Sequence, residues 1–296
     1  MGCLLCPREC GADRENGQVG YCGVSDEIRV ARAALHMWEE PCISGDKGSG
    51  TIFFVGCPLG CIYCQNYEIS RGIASKESWK KGKVYTVDEL SNEMLSLQSI
   101  GAHNINLVTP THYSNKIIGA VQLAKEKGLR IPIVYNCSGY EKVATLRTLE
   151  GIVDIYLTDF KYYDDKLAME YSKAPNYCAV TKKALDEMVR QIPECVFEDG
   201  LMKKGVIVRN LLLPGHVNNS KDIASYIYNK YKDMIYISIM NQYTPLENVS
   251  DIEPLNRKVT KREYRRLIDF VLSLGADNVY IQEGDVAKES FIPDFE

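Results

Sequence analysis

From about residue 50 onward the chain alternates short β-branched runs with longer amphipathic ones, and this repetition restricts the fold more than any other feature. It is the pattern of successive βα units, which call for a parallel sheet covered by helices. Six runs read as strands: TIFFVG from Thr51, INLVT from Ile105, IPIVYN from Ile131, VDIYLTDF from Val153, GVIVRNLLL from Gly205 and MIYISIMN from Met234. NVYIQ from Asn278 is a candidate seventh. Most are almost continuously apolar, as strands buried on both faces must be. Between them, Thr86 followed by Glu89 forms a capping box, Ser114 is placed to cap a helix ending at Gly128, and Ser220 to cap another. A last helix over about 260–274 closes at Gly275. Spacing does not separate a closed or partial barrel from an open doubly wound sheet, but no glycine-rich dinucleotide fingerprint comes after the first strand.

Cysteine stands there instead. Of 11 cysteines, Cys57, Cys61 and Cys64 form one tight group and Cys3, Cys6, Cys10 and Cys22 another. Gaps this short suit thiolates converging on a metal centre better than a disulfide framework. A C-x3-C-x2-C triplet can ligate three irons of a [4Fe-4S] cluster and leave the fourth open to other ligands. Structural zinc wants a fourth donor close by, and Gln65 and Asn66 are poor ones. The N-terminal four, with glycines around them, have the donor set for a structural zinc or for a second [4Fe-4S] cluster, and ligand type does not decide between the two. The chain thus divides into a cysteine-rich metal-binding extension over 1–45 and an α/β domain over 46–296. Cys42, Cys137, Cys178 and Cys195 are expected to fill core positions, with Cys137 placed at a strand end.

Net charge points to no partner. The 35 basic and 39 acidic residues give a net charge of -4, no footprint for nucleic acid or anionic membrane. No apolar run reaches the roughly 18 residues of a spanning helix, and MGCLLCPREC lacks the pattern of a secretory signal. Gly2 would suit myristoylation, but Cys6 stands where that motif needs Ser or Thr. The expectation is a soluble, unprocessed protein of a reducing cytoplasm.

The triplet, with Tyr63 just before its last cysteine at the end of the first strand, resembles the signature of the radical S-adenosylmethionine enzymes. A closer resemblance, over nearly the whole chain, is to the pyruvate formate-lyase activating-enzyme group, in its subgroup with a cysteine-rich N-terminus. It is carried by CPRECGADRENGQVGYCG, ALHMWEEPCISG, GCPLGCIYCQNYEIS, YNCSGYE, IYLTDFKY and RNLLLPGH. The resemblance implies a partial (β/α)6 barrel with Cys57, Cys61 and Cys64 on a [4Fe-4S] cluster. It further implies S-adenosylmethionine on the open iron and its cleavage, by an electron from a flavodoxin or ferredoxin, to a 5′-deoxyadenosyl radical that abstracts hydrogen. The substrate implied is a glycine of a partner protein; radical modification of a small molecule, peptide or RNA base is the alternative, and an iron-sulfur electron-transfer or metal-binding module the alternative of another class.

The same resemblance sets Tyr63 beside the adenine, Asn136 and Ser138 by the ribose, and Lys161, next to Asp159, at the cofactor's carboxylate. Arg209 opens the family's Arg-x-x-x-x-Pro-Gly strand. The group usually has a Gly-Gly-Glu run after its second strand to hold the cofactor's amino group, where this chain has Val108-Thr-Pro-Thr-His112. A Thr109 or Thr111 hydroxyl replaces at most one contact and not the carboxylate. His112 reads as an ordinary loop histidine rather than an acid or base.

Overall fold

The computed structural model describes residues 2–70, 81–282 and 295. The six expected strands form as β2 (Ser49–Phe54), β4 (Ile105–Val108), β5 (Ile133–Cys137), β6 (Ile155–Asp159), β8 (Leu201–Leu211) and β9 (Tyr236–Met240). The seventh forms as β10 (Val279–Ile281). They pair in parallel in the order β10-β9-β8-β6-β5-β4-β2, so the chain winds in one direction with no reversal of strand order. A doubly wound sheet reverses at a switch point; this one curls as an α/β barrel that its two ends leave unclosed. Three further strands have no counterpart in the sequence pattern. β1 (Ile28–His36) runs antiparallel along β2, β3 (Lys83–Tyr85) extends that edge, and β7 (Val196–Glu198) makes a hairpin with β8.

The helices pack outside the sheet: α2 (Val87–Ser99) and α3 (Ser114–Glu126) against the β1, β2 and β4 side, and α4 (Val143–Thr148) through α8 (Lys261–Ser273), by way of α5 (Asp165–Ser172), α6 (Tyr177–Gln191) and α7 (Val217–Tyr231), over the rest. One short helix is inside. The α1 turn (Pro41–Ser44) sets Cys42 and Ile43 against Val134, Leu157 and Ile207 on the inner face of the sheet, closing the barrel from below. The capping boxes at Thr86 and Thr260 form, each hydroxyl accepting from the backbone N–H three residues on.

Ser114 and Ser220 do not cap. A 3-10 turn, Thr111–Tyr113, runs straight into α3, so Ser114 is its first helical residue and its hydroxyl is buried without a partner. Helix α7 starts at Val217, after the turn at Gly215, which puts Ser220 inside its first turn. Among the described residues no helix is long and apolar enough to cross a membrane.

Candidate functional site

The strand ends of a parallel barrel converge, and here they enclose a cavity of about 540 Å³. That volume suits a nucleoside-sized ligand. Cys57, Cys61, Tyr63 and Cys64 line it from the loop after β2. Asn136 and Ser138 reach it from β5, Asp159 and Lys161 from β6 and Arg209 from β8. The sequence therefore named nine side chains that the fold gathers in one place. The four N-terminal cysteines are not among its walls.

A charged network holds the polar wall. Arg209 donates through Nε to Asp159 Oδ1 at 3.0 Å, through Nη1 to Glu39 Oε2 at 3.0 Å, and through Nη2 to Asn136 Oδ1 at 2.6 Å. Glu39 also accepts from Asn106 at 2.9 Å and from Asn136 at 3.3 Å. Lys161 Nζ sits 2.7 Å from Asp159 Oδ2. Burial works against every charge here, but the pairing outweighs it: Asp159 is held below the usual carboxylate range by Lys161 and Arg209, and Lys161 is raised by Asp159 and Cys61. Two cations face two carboxylates. Glu40 is the surplus group, 7 % exposed, with Oε2 unpartnered; burial pushes its carboxyl up against the opposing pull of Arg209.

Sequence reading missed Glu39 and Glu40. They lie between β1 and α1, in a segment whose strand partner, β2, comes later in the chain, so no local pattern shows that it tucks under the sheet. The adjacent acids of HMWEEP, just before a proline that starts a buried turn, were the available signal. His36, Met37 and Trp38 of the same segment line the cavity too, the last two 43 % and 59 % exposed.

The other expectations sort by location. Thr109 lines the cavity with φ +58°, a left-handed conformation that strains a β-branched residue and that glycine takes freely. Thr111 points away and donates to buried Glu141 at 2.8 Å. His112 is buried outside the cavity, its Nε2 2.8 Å from the Val55 carbonyl; burial and Arg14 drive its pKa down to about 3, so it stays neutral. Tyr63 is 4 % exposed, its hydroxyl 2.8 Å from that of Tyr162 and its ring edge-on to Tyr171 and Tyr243. Cys137 lines the wall, its thiol 3.3 Å from Thr158 Oγ1 and held protonated by burial.

The cysteine loop is shaped by backbone bonds. Gly56 takes φ +93°, and a Cβ there would meet the Cys22 carbonyl at 2.9 Å. Cys57 Sγ accepts from the Leu59 N–H at 3.4 Å. Burial raises the Cys57 thiol to about 11 and the Cys64 thiol to about 12, so a thiolate there needs a metal's charge to form. Among the described residues no three His, Cys, Asp or Glu side chains come close enough to hold a single ion. A cubane cluster has no such need, since each thiolate binds its own iron. The donor set, half-buried free thiols facing a cavity with an unpartnered Ser138 hydroxyl, fits a cluster with a ligand beside it.

A chain with this sheet and this site matches the radical SAM superfamily model over residues 51–225, and it belongs to that superfamily. The superfamily implies a [4Fe-4S] cluster and S-adenosylmethionine. The chain is 26 % identical over 280 residues to an uncharacterized protein of Methanocaldococcus jannaschii, covering 94 % of this chain and 76 % of that one. Among solved structures it is similar to Streptococcus suis SuiB bound to the precursor peptide SuiA, with TM-score 0.50, 14 % identity and coverage of 78 % of this chain and 47 % of that one. A methylornithine synthase gives TM-score 0.48 at 15 % identity, covering 78 % of this chain and 72 % of that one.

Proposed function

We propose that Cys57, Cys61 and Cys64 ligate the [4Fe-4S] cluster, that S-adenosylmethionine lies across the cavity's polar wall, and that the chain generates a radical to act on a glycine of a partner protein. When bound and reduced by a flavodoxin- or ferredoxin-type donor, the cluster supplies the electron that cleaves the cofactor to methionine and a 5′-deoxyadenosyl radical. One observation carries the reading: the three thiols share a single cavity with Asn136, Ser138, Asp159, Lys161 and Arg209.

The hydrogen bonds divide the labour. Arg209 and Asn136 spend their polar atoms on Glu39, Asp159 and each other, so they position the wall. Lys161 gives one of its three donors to Asp159, which leaves the ammonium able to bind a carboxylate. Its backbone fixes it, the N–H donating to Tyr177 Oη at 3.0 Å and the carbonyl accepting from Asn219 at 3.0 Å. The Ser138 hydroxyl is free to meet a sugar hydroxyl. Tyr63 backs the site through its ring rather than its hydroxyl. Exposed Trp38 and Met37 at the cavity edge give an apolar rim that suits a polypeptide substrate.

The test is release of 5′-deoxyadenosine from S-adenosylmethionine by anaerobically reconstituted protein with a strong reductant. Cleavage by the wild type, and background levels in Cys57→Ala, Cys61→Ala and Cys64→Ala, are the expected results. Retained cleavage in all three variants contradicts the ligand assignment. Cleavage stimulated by a small molecule or an RNA, and by no protein, replaces the glycine substrate with that class.

A further inference from the structure

The N-terminal cysteine loop and the cluster loop touch at several points. The Cys22 carbonyl accepts from the Cys57 N–H at 3.0 Å, so a residue of one group is bonded directly to a residue of the other. Arg8, between Cys6 and Cys10, reaches into the Cys57–Cys61 interval. Its Nε donates to the Pro58 carbonyl at 2.9 Å and its Nη2 to the Leu59 carbonyl at 3.1 Å. Nη2 also donates to Ser172 at 3.0 Å, and Nη1 to Lys173, both carbonyls at the C-terminal end of α5. The guanidinium is gripped by two rings, 3.9 Å from the centroid of Tyr21 and 5.2 Å from that of Tyr140. One side chain thus ties two carbonyl-bearing segments to the N-terminal loop, which a planar fork of donors suits.

That loop is held by individual hydrogen bonds rather than by helix or strand. Among its described residues the only regular element is a 3-10 turn, Arg14–Asn16, set in a network of backbone bonds that includes Cys3 N–H to Ala12, Glu9 N–H to Cys6, Gly11 N–H to Cys3, Gln18 N–H to Asp13 and Gly20 N–H to Val24. Its cysteines nevertheless face one another: a Cβ on Gly20 would lie 3.4 Å from both Cys10 Sγ and Cys22 Sγ, and Cys3 Sγ accepts from Arg14 at 3.8 Å. Cys22 and Val24 anchor the loop to the barrel core, and a bound metal centre would fix the thiols beside them.

We propose that an iron-sulfur cluster held by Cys3, Cys6, Cys10 and Cys22, each thiolate on its own iron, sets Arg8 and the Cys22 carbonyl against the cluster loop, so that loading of the N-terminal centre and loading of the barrel cluster are one coupled event. Arg8 is the positioning residue of that coupling. The inference rests on the reading of Cys57, Cys61 and Cys64 as cluster ligands and extends it to how their loop is assembled.

The experiment compares anaerobically reconstituted full-length wild type, Cys10→Ser, Arg8→Met and Arg8→Lys, measuring iron, sulfide and zinc per chain and the electron paramagnetic resonance spectrum of the reduced barrel cluster. Cys10 is chosen because it is exposed, and thermal unfolding followed by circular dichroism checks that each variant folds. Cys10→Ser is expected to lose the N-terminal metal and, with it, several-fold of the barrel cluster. Both Arg8 variants are expected to keep the N-terminal metal, lose barrel-cluster iron and shift its spectrum. Wild-type barrel-cluster content with an unchanged spectrum in Cys10→Ser or in the Arg8 variants overturns the coupling. Unchanged total metal in Cys10→Ser overturns the N-terminal centre, and a wild type with no barrel cluster overturns the underlying reading instead.

Discussion

The polar wall of the cavity and the N-terminal cysteine loop are positioned by opposite means. Asn136, Asp159 and Arg209 stand on paired strands, where the register Asp159↔Arg209 and the run of β5 beside β6 fix which side chains face inward. The loop has almost no regular backbone and is held by two arginines that reach into its neighbours, Arg8 and Arg14, the second of which donates to the His112 carbonyl at 2.6 Å and to the Ser25 carbonyl at 2.7 Å. A sheet places a site through main-chain pairing, which tolerates side-chain change; a coil places one through a few side chains, which do not. The wall should therefore fail energetically when a charge is removed, and the loop geometrically when a contact is blocked.

Removing the central charge tests the first half. Arg209→Leu leaves Glu39 buried without its cation and Asp159 with Lys161 alone, a loss of about 3–5 kcal/mol. The melting temperature should drop by roughly 10 °C, and an unchanged melting curve would mean the network adds nothing to the fold. Blocking the contact tests the second. Gly56→Ala must place a Cβ 2.9 Å from the Cys22 carbonyl at a φ of +93°, at a cost of about 1–3 kcal/mol in backbone strain. Cluster content should fall further than overall stability does, as read by iron analysis beside thermal unfolding; equal loss of both would remove the distinction.

A further effect concerns pH. Glu141 lies behind the wall, accepting from Thr111 at 2.8 Å, and burial raises it to about 8. The native chain then keeps a proton that the unfolded chain releases near 4.5. Its contribution is present in full below that value and is lost as pH rises through about 8. Glu141→Gln should flatten the decline in stability between pH 5 and 8, measured by denaturant unfolding across that range. A variant that declines as the wild type does would assign the dependence to another group.

Much of the wall was legible through the family resemblance, whose positions fall where the apolar runs of parallel strands end or break. Asn136 closes IPIVYN, Asp159 closes the β6 run, and Arg209 interrupts an apolar β8. The triplet was legible because three thiols at that spacing have few other uses. Glu39 and Glu40 were not, since their place depends on β1 returning along β2 and on a four-residue turn entering the barrel. Ser114 and Ser220 misled because a serine near a helix start caps only if the preceding backbone is extended, and a 3-10 turn or an earlier start removes that condition. The contact between the two cysteine groups was also hidden, because it runs through a carbonyl and an arginine that no spacing rule connects.

The central claim is that the thiol triplet and the polar wall form one site. The direct measurement is the electron paramagnetic resonance spectrum of the reduced, reconstituted protein with and without S-adenosylmethionine, in the wild type and in Lys161→Met. The account predicts that the cofactor changes the cluster signal in the wild type and that Lys161→Met needs a severalfold higher cofactor concentration for the same change. A cluster signal indifferent to the cofactor, or an equal response in both proteins, would contradict it.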